Sequence, residues 1–222
     1  MNVRLAVQPI VSASTGNPLA YEVLARVQNK DRLCSPASLG EKHWVHIDRA
    51  VMQGLAVCHD CPGASLPLYL NLSADTLACD DAFAAWCCDA ASLCRLHLAG
   101  VGIEISEETP GDVLERRWST LATLNACMIL DDYGTGLTCL NHLQAFPWDV
   151  CKFEATRLME GLDEDAINYC REQRIVMIAE KVECPAHQSV MCDRGIDTHQ
   201  GYFYARPSLL ASSCLETHQV IQ

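Results

Sequence analysis

CMILDDYGTG, the stretch Cys127–Gly136, runs from four apolar residues straight into two aspartates and a glycine-rich loop. Asp131 and Asp132 repel each other and resist burial, so a fold that sets both at the end of a buried strand needs an added cation or a shared proton there. Gly134 and Gly136 give the following loop its turns, and also the freedom a switch would need.

Similar runs recur along the chain. RLAVQPI, LAYEVLARV, LPLYLNLS, GVGIEIS, VCKFE, IVMIAE and THQGYFY are rich in Val, Ile, Leu and Tyr, and with CMILDD they make eight strand candidates. Between them lie segments of helical period: SLGEKHWVHIDRAVMQGLAVC, ADTLACDDAFAAWCCDAASLCRLHL, TPGDVLERRWSTLATLN, LTCLNHLQAF, ATRLMEGLDEDAINYCREQ and CPAHQSVMCDRG. Ser73 marks one helix start, and Pro110 lies just inside another. The alternation predicts an α/β fold, a modified TIM-type (β/α)8 barrel with helices outside a mainly parallel sheet. The first two strands, joined by SASTGNP, have an antiparallel hairpin as their alternative.

Polar residues stand at the strand ends: Glu22 after LAY, Asn71 after LPLYL, Glu104 after VGI, Asp131 and Asp132 after CMIL, Lys152 after DVC and Glu180 after IVMIA. In a barrel those ends converge on one mouth. Glu22, Asn71, Glu104, Asp131 and Asp132 supply the oxygen ligands that Mg²⁺ and other hard divalent cations prefer. One aspartate can then bridge two ions while its neighbour completes the second site, and two ions about 4 Å apart can activate a water and steady a phosphodiester during in-line attack. Lys152 adds positive charge near the water or the phosphate, and Glu180 is placed to take a proton or to hold the second ion. The eight histidines are scattered and none follows a nucleophile motif, so no Ser-His-Asp or Cys-His arrangement competes.

The bulk composition agrees with a globular domain spanning residues 1–222: half of the 222 residues are apolar and a fifth charged. A formal charge of −12 argues against coating a nucleic-acid polymer, although a small anionic nucleotide can still be held through metal ions. No stretch suits a signal peptide or a membrane span, which predicts a soluble, cytosolic protein. The 14 cysteines are scattered through apolar segments and read as reduced core thiols. The Cys58 and Cys61 pair of CHDC has no second pair at zinc-site spacing, so a helix-end loop is the preferred reading there.

These motifs carry a family resemblance. QPIVSASTGNPLAYEVLAR, NLS, EISEE, DDYGTG, CKFE, AEKVE and QGYFYARP follow in the order and approximate spacing of the EAL-domain cyclic di-GMP phosphodiesterases, from Leu5 to Pro207. The resemblance implies hydrolysis of cyclic di-GMP to linear pGpG with Mg²⁺ or Mn²⁺, in bacterial second-messenger signalling. Glu22 matches the signature glutamate, in EVL rather than Glu-Ala-Leu, and Asn71, Glu104 and Asp131 match the other ligands of the first ion. Asp132 and Glu180 match positions associated with the second ion, Glu180 also being a proposed general base, and Lys152 matches the lysine near the attacking water. Gln8 and Arg26 resemble contacts to guanine and phosphate. Gln200, Glu183 and Pro207 fall in the motifs that border the substrate. Glu107 resembles the glutamate that steadies the loop after the double aspartate, a loop that takes part in dimerisation in this family.

Three departures stand out. Glu154 is one methylene longer than the family's aspartate on the strand face of Lys152, and a carboxylate misplaced by about an ångström can cost about 10²-fold in rate. Lys181 replaces a glycine, removing backbone freedom if the position needs positive φ and adding a cation beside the cluster. Leu137, Thr138 and Cys139 replace the aromatic and serines that follow DDYGTG in the family. The region after Arg26 is also compressed, which points to a changed or lost partner surface. The resulting expectation is a stand-alone phosphodiesterase. Its first rival is a module of low or no activity that binds cyclic di-GMP or a protein, and a weaker rival is a metal-dependent barrel acting on another phosphodiester.

Overall fold

The computed structural model describes residues 3–30, 32–40, 43–57, 65–134 and 139–210. Cys58 and Cys61, and Gly136, Leu137 and Thr138, lie outside them. The strands are β1 (Val3–Ser12), β2 (Pro18–Asn29), β3 (Arg32–Cys34), β4 (Leu68–Asn71), β5 (Val101–Ser106), β6 (Cys127–Tyr133), β7 (Val150–Glu154), β8 (Val176–Glu180), β9 (Thr198–His199) and β10 (Ser208–Leu209). Around and between them run α1 (Trp44–Ala56), α2 (Ala74–Ala78), α3 (Asp80–Leu96), α4 (Gly111–Leu121), α5 (Cys139–Ala145), α6 (Ala155–Met159), α7 (Glu164–Gln173) and α8 (Pro185–Asp193).

Eight strands close a ring in the order β1, β2, β4, β5, β6, β7, β8, β9 and back to β1. Pairing is parallel from β2 to β9, whereas β1 runs against both of its neighbours. The hairpin is therefore the form the first two strands take, and it sets Gln8 opposite Glu22. Short β3 and β10 pair antiparallel onto β2 and β1. Neither was legible beforehand, because three and two residues are too few to display a period.

Other expected elements are cut shorter, each for a local reason. The segment after Ser73 is two helices, broken where Cys79 is extended at ψ 116°, and Ser73 caps the first by accepting the Thr76 N–H. Pro110 is the residue before α4 rather than its first. ATRLMEGLDEDAINY splits into α6 and α7 because Gly161 and Asp163 take left-handed φ of 75° and 65°. THQGYFY is a strand only at Thr198–His199. Beyond it the backbone of Gly201 lies against β8's continuation so closely that a Cβ would stand 2.1 Å from the Val182 carbonyl oxygen, so the chain turns out of the sheet there.

The barrel lining explains where the polar groups end up. Ile10, Ala20, Ile129, Val150 and Ile178 form a buried inner cluster with Tyr69 and Cys127 packed on it. Side chains in a strand return to the same face every second residue. Two positions further on, Ala20 leads to Glu22, Tyr69 to Asn71, Ile129 to Asp131, Val150 to Lys152 and Ile178 to Glu180. On the reversed β1 the step runs the other way, from Ile10 back to Gln8. An apolar plug thus carries a polar layer directly above it. The alternate residues, among them Leu70, Ile103, Leu130 and Phe153, face outward into the larger core shared with the helices, where each such burial contributes about 1.5–3 kcal/mol.

Candidate active site

The carboxyl ends of the strands open into a cleft of about 730 Å³ lined by Glu22, Arg26, Asn71, Glu104, Asp131, Asp132, Glu180 and Lys181, with residues of α1 and α2 on the far wall. At its floor the fully buried Lys152 holds the acids together: its Nζ lies 2.7 Å from Glu104 Oε1, 2.8 Å from Asp131 Oδ1, 2.7 Å from Glu180 Oε1 and 3.9 Å from Glu22 Oε2. Register sets Asn71 beside Glu104, and the Asn71 amide donates to Glu22 Oε1 at 2.9 Å and to Glu104 Oε2 at 3.1 Å. Gln200 at the end of β9 fixes the signature glutamate, donating to Glu22 Oε2 at 2.5 Å.

Four carboxylates around one ammonium crowd the floor, so some of them hold on to a proton. Burial raises the Glu104 pKa well above the usual carboxylate range, with Glu22 adding to it, and burial likewise raises Asp132. Glu180 is pushed up to about 8 by burial, against the opposing pull of Lys152. Burial opposes the charge on Lys152, but Asp131, Glu104, Glu180 and Glu22 together outweigh it and raise its pKa. Such a floor suits a divalent cation. The donors are all oxygen, counting the Asn71 carbonyl after a turn of its amide, and for Glu104 Oε1 and Asp131 Oδ1, both buried, the Lys152 ammonium at 2.7 and 2.8 Å is the neighbouring positive charge. Among the described residues no three Asp, Glu, His or Cys groups are already drawn together as a cage. The Lys152 ammonium stands among them instead.

The metal-free protein is expected to lose stability as pH rises from about 5 to about 8. Glu180 moves from 4.5 unfolded to about 8 folded, and Glu104 and Asp132 shift the same way, so the native state binds the extra protons in this window. Lys152 keeps its contribution throughout this window and loses it only at higher pH, between the ordinary lysine value and its raised pKa. Each such proton changes stability by about 1.4 kcal/mol per pH unit, or about 3–5 °C in melting temperature for a domain of this size. Thermal melts in EDTA that are flat or rise across the window would contradict the protonation scheme.

The profile of the family described as the EAL domain matches residues 1–207. The chain belongs to this family. Among its relatives, the cyclic di-GMP phosphodiesterase PdeL of Escherichia coli is 29% identical over 116 residues, 47% of this chain and 32% of PdeL. The cyclic di-GMP phosphodiesterase PdeR of E. coli is 26% identical over 175 residues, 74% of this chain and 26% of PdeR. The chain therefore spans about a third or less of the length of these relatives. The solved structure of the Bacillus subtilis YkuI protein, with an EAL domain, in complex with substrate c-di-GMP and calcium, superposes with a TM-score of 0.74 at 19% identity, covering 94% of this chain and 55% of that one. At that identity the likeness establishes the fold.

The rest of this EAL domain's predicted residues divide by place. Arg26 lines the cleft, half-buried, with its guanidinium on the Ala25 carbonyl at 2.8 Å. Gln8 lies deeper, where its amide donates to the Ala205 carbonyl at 3.0 Å and accepts from Gln200 at 3.4 Å. Glu183 is exposed and Pro207 half-buried, and neither is among the residues lining the cleft. Glu107 Oε2 accepts the Gly134 N–H at 2.8 Å, which ties the start of the loop to the end of β5. Gly134 has φ 99°, and a Cβ there would meet the Arg157 guanidinium, so glycine is required.

Lys181 has φ 53°, so the position does favour glycine, and the left-handed backbone costs an ordinary residue about 1–2 kcal/mol. Its ammonium lies 2.9 Å from Glu154 Oε2 and 3.7 Å from Asp132 Oδ1. Two of the family departures therefore touch each other. Asp48 was missed entirely: buried on α1 at the cleft wall, its Oδ2 accepts Ser73 Oγ and Thr76 Oγ1 at 2.6 Å each and Ser73 N–H at 3.1 Å. Its signal was a charge within the apolar stripe of Ile47, Val51 and Leu55. No helix among the described residues is long and apolar enough to cross a membrane.

Proposed function

We propose that this EAL domain hydrolyses cyclic di-GMP to linear pGpG with Mg²⁺ or Mn²⁺ at the barrel mouth. The observation that carries the reading is the gathering of Glu22, Glu104, Asp131 and Glu180 around one buried ammonium under an open cleft. Glu22, Asn71, Glu104 and Asp131 would hold the cation, and Asp132 and Glu180 are the donors from which a second would draw. A divalent cation held there supplies a polarised water at neutral pH and positive charge for the phosphodiester oxygens.

This chain's residues then do the following. Gln200 keeps Glu22 oriented, and Lys152 neutralises part of the acid layer so that the carboxylates can be buried together. Arg26, on the wall, faces the anionic substrate. As the water oxygen bonds to phosphorus and one phosphodiester P–O bond opens, the water proton would pass to Glu180, and the leaving sugar oxygen would take its proton from solvent water. Glu180 serves as acceptor only when ionised, so its free-state value of about 8 must fall, as nearby positive charge makes it do. The Glu107–Gly134 link is the point where the loop joins the site, and a homodimer or a protein partner would act on the site through it.

Incubation of the purified protein with cyclic di-GMP and Mn²⁺, followed by chromatography, should yield pGpG. Tight binding of cyclic di-GMP with no product would favour the rival binding module, which the Lys181 contact to Asp132 and Glu154 also suits.

A further inference from the structure

We infer that the Lys181 ammonium is a built-in cation of the mouth, engaging Asp132 and Glu154 and limiting the site to one divalent ion. The inference rests on the reading of the mouth as a divalent-cation site and deepens it.

Two observations meet at this residue. Among the described residues, six other than glycine have positive φ, and two of them, Asp132 and Lys181, face each other across the cleft edge at 3.7 Å. Left-handed residues that persist at a site indicate that something there holds them. Second, the ammonium is in place for two acids at once. Glu154 is paired in register with Glu180, so the last residues of β7 and β8 lie side by side, and Lys181 turns back from the next position to reach Glu154 Oε2 at 2.9 Å. The longer Glu154 side chain is further anchored by the Thr156 hydroxyl at 2.5 Å. Asp132 thus meets a resident positive charge before any ion arrives.

A divalent ion using Asp132 would have to displace the ammonium or share the carboxylate with it at close range, where like charges repel strongly. The side chain is half exposed, 50% for Lys181 and 43% for Asp132, so the pair adds little to folding stability and acts on ion binding instead. Glu22, Glu104 and Asp131 gather around Lys152, with Asn71 bonded to Glu22 and Glu104, and these four stay available to the remaining ion.

The test is Mn²⁺ binding per chain, counted by electron paramagnetic resonance in the wild type and in Lys181→Gly, Lys181→Asn and Lys181→Arg. Glycine and asparagine both tolerate the left-handed backbone, so these variants should fold. The wild type and Lys181→Arg are expected to bind one Mn²⁺ with the spectrum of an isolated ion. Lys181→Gly and Lys181→Asn should bind a second at least about tenfold more tightly than the wild type does, with the spectrum of a coupled pair. Two ions in the wild type, or one in the glycine and asparagine variants, would overturn the inference while leaving the metal site standing. Absence of Mn²⁺ binding in all four proteins would overturn both.

Discussion

Replacing Lys152 by methionine is expected to cost the metal-free protein about 3–5 kcal/mol, about 10 °C in melting temperature, and to cut turnover by at least about 10²-fold. The side chain is fully buried and its ammonium touches three carboxylates within 2.8 Å, with a fourth at 3.9 Å. Methionine fills the stem's volume but leaves those acids facing each other in a poorly solvated floor, where most of them must take up protons to remain buried. Divalent cation should then stabilise the variant more than the wild type, because it replaces the missing charge. A site held at 100 times its dissociation constant gains about 2.7 kcal/mol. Stability would return with Mn²⁺ while turnover would not, since on the proposed reading the ammonium near the attacking water is still gone. An unchanged melting temperature in EDTA would mean that the ammonium is not what binds the acid layer together.

Changing Glu22 to glutamine should lower turnover by about 10²–10³-fold with little change in fold. The substitution keeps the shape but leaves one acceptor oxygen where there were two, so Asn71 keeps its bond while Gln200 must turn its amide to accept from the new NH2, and it takes one negative charge from the set that would hold the ion. Mn²⁺ affinity should fall in parallel, and raising the Mn²⁺ concentration should recover part of the rate. Turnover that survives Glu22→Gln at low Mn²⁺ would move the chemistry away from this layer.

Most of the acid layer was legible in the sequence because it follows from strand periodicity alone. Once Ile129, Val150 and Ile178 are read as inward, Asp131, Lys152 and Glu180 must point the same way two residues later. The order of apolar runs and helical segments likewise fixed a barrel, and SASTGNP marked the hairpin that reverses β1. What the sequence could not display depends on contacts between distant strands. The bond from Gln200 to Glu22 spans 178 residues, and family resemblance had placed Gln200 only in a motif that borders the substrate. The Lys181 contact to Glu154 requires both the β7–β8 register and a left-handed backbone, neither of which composition records. Asp48 was hidden because a single charge in an amphipathic stripe looks like noise until Ser73 and Thr76 are brought to it. Gln8 shows the converse: the resemblance gave it to guanine, whereas the structure sets it opposite Glu22 with its amide on the Ala205 carbonyl.

The decisive measurement is an anomalous-difference map from crystals grown with Mn²⁺ and cyclic di-GMP. An ion coordinated together by Glu22, Asn71, Glu104 and Asp131, with a phosphodiester of the dinucleotide against it in the cleft, is the predicted result. Cyclic di-GMP in the cleft with no ion at those four side chains, or an ion bound elsewhere, would contradict it.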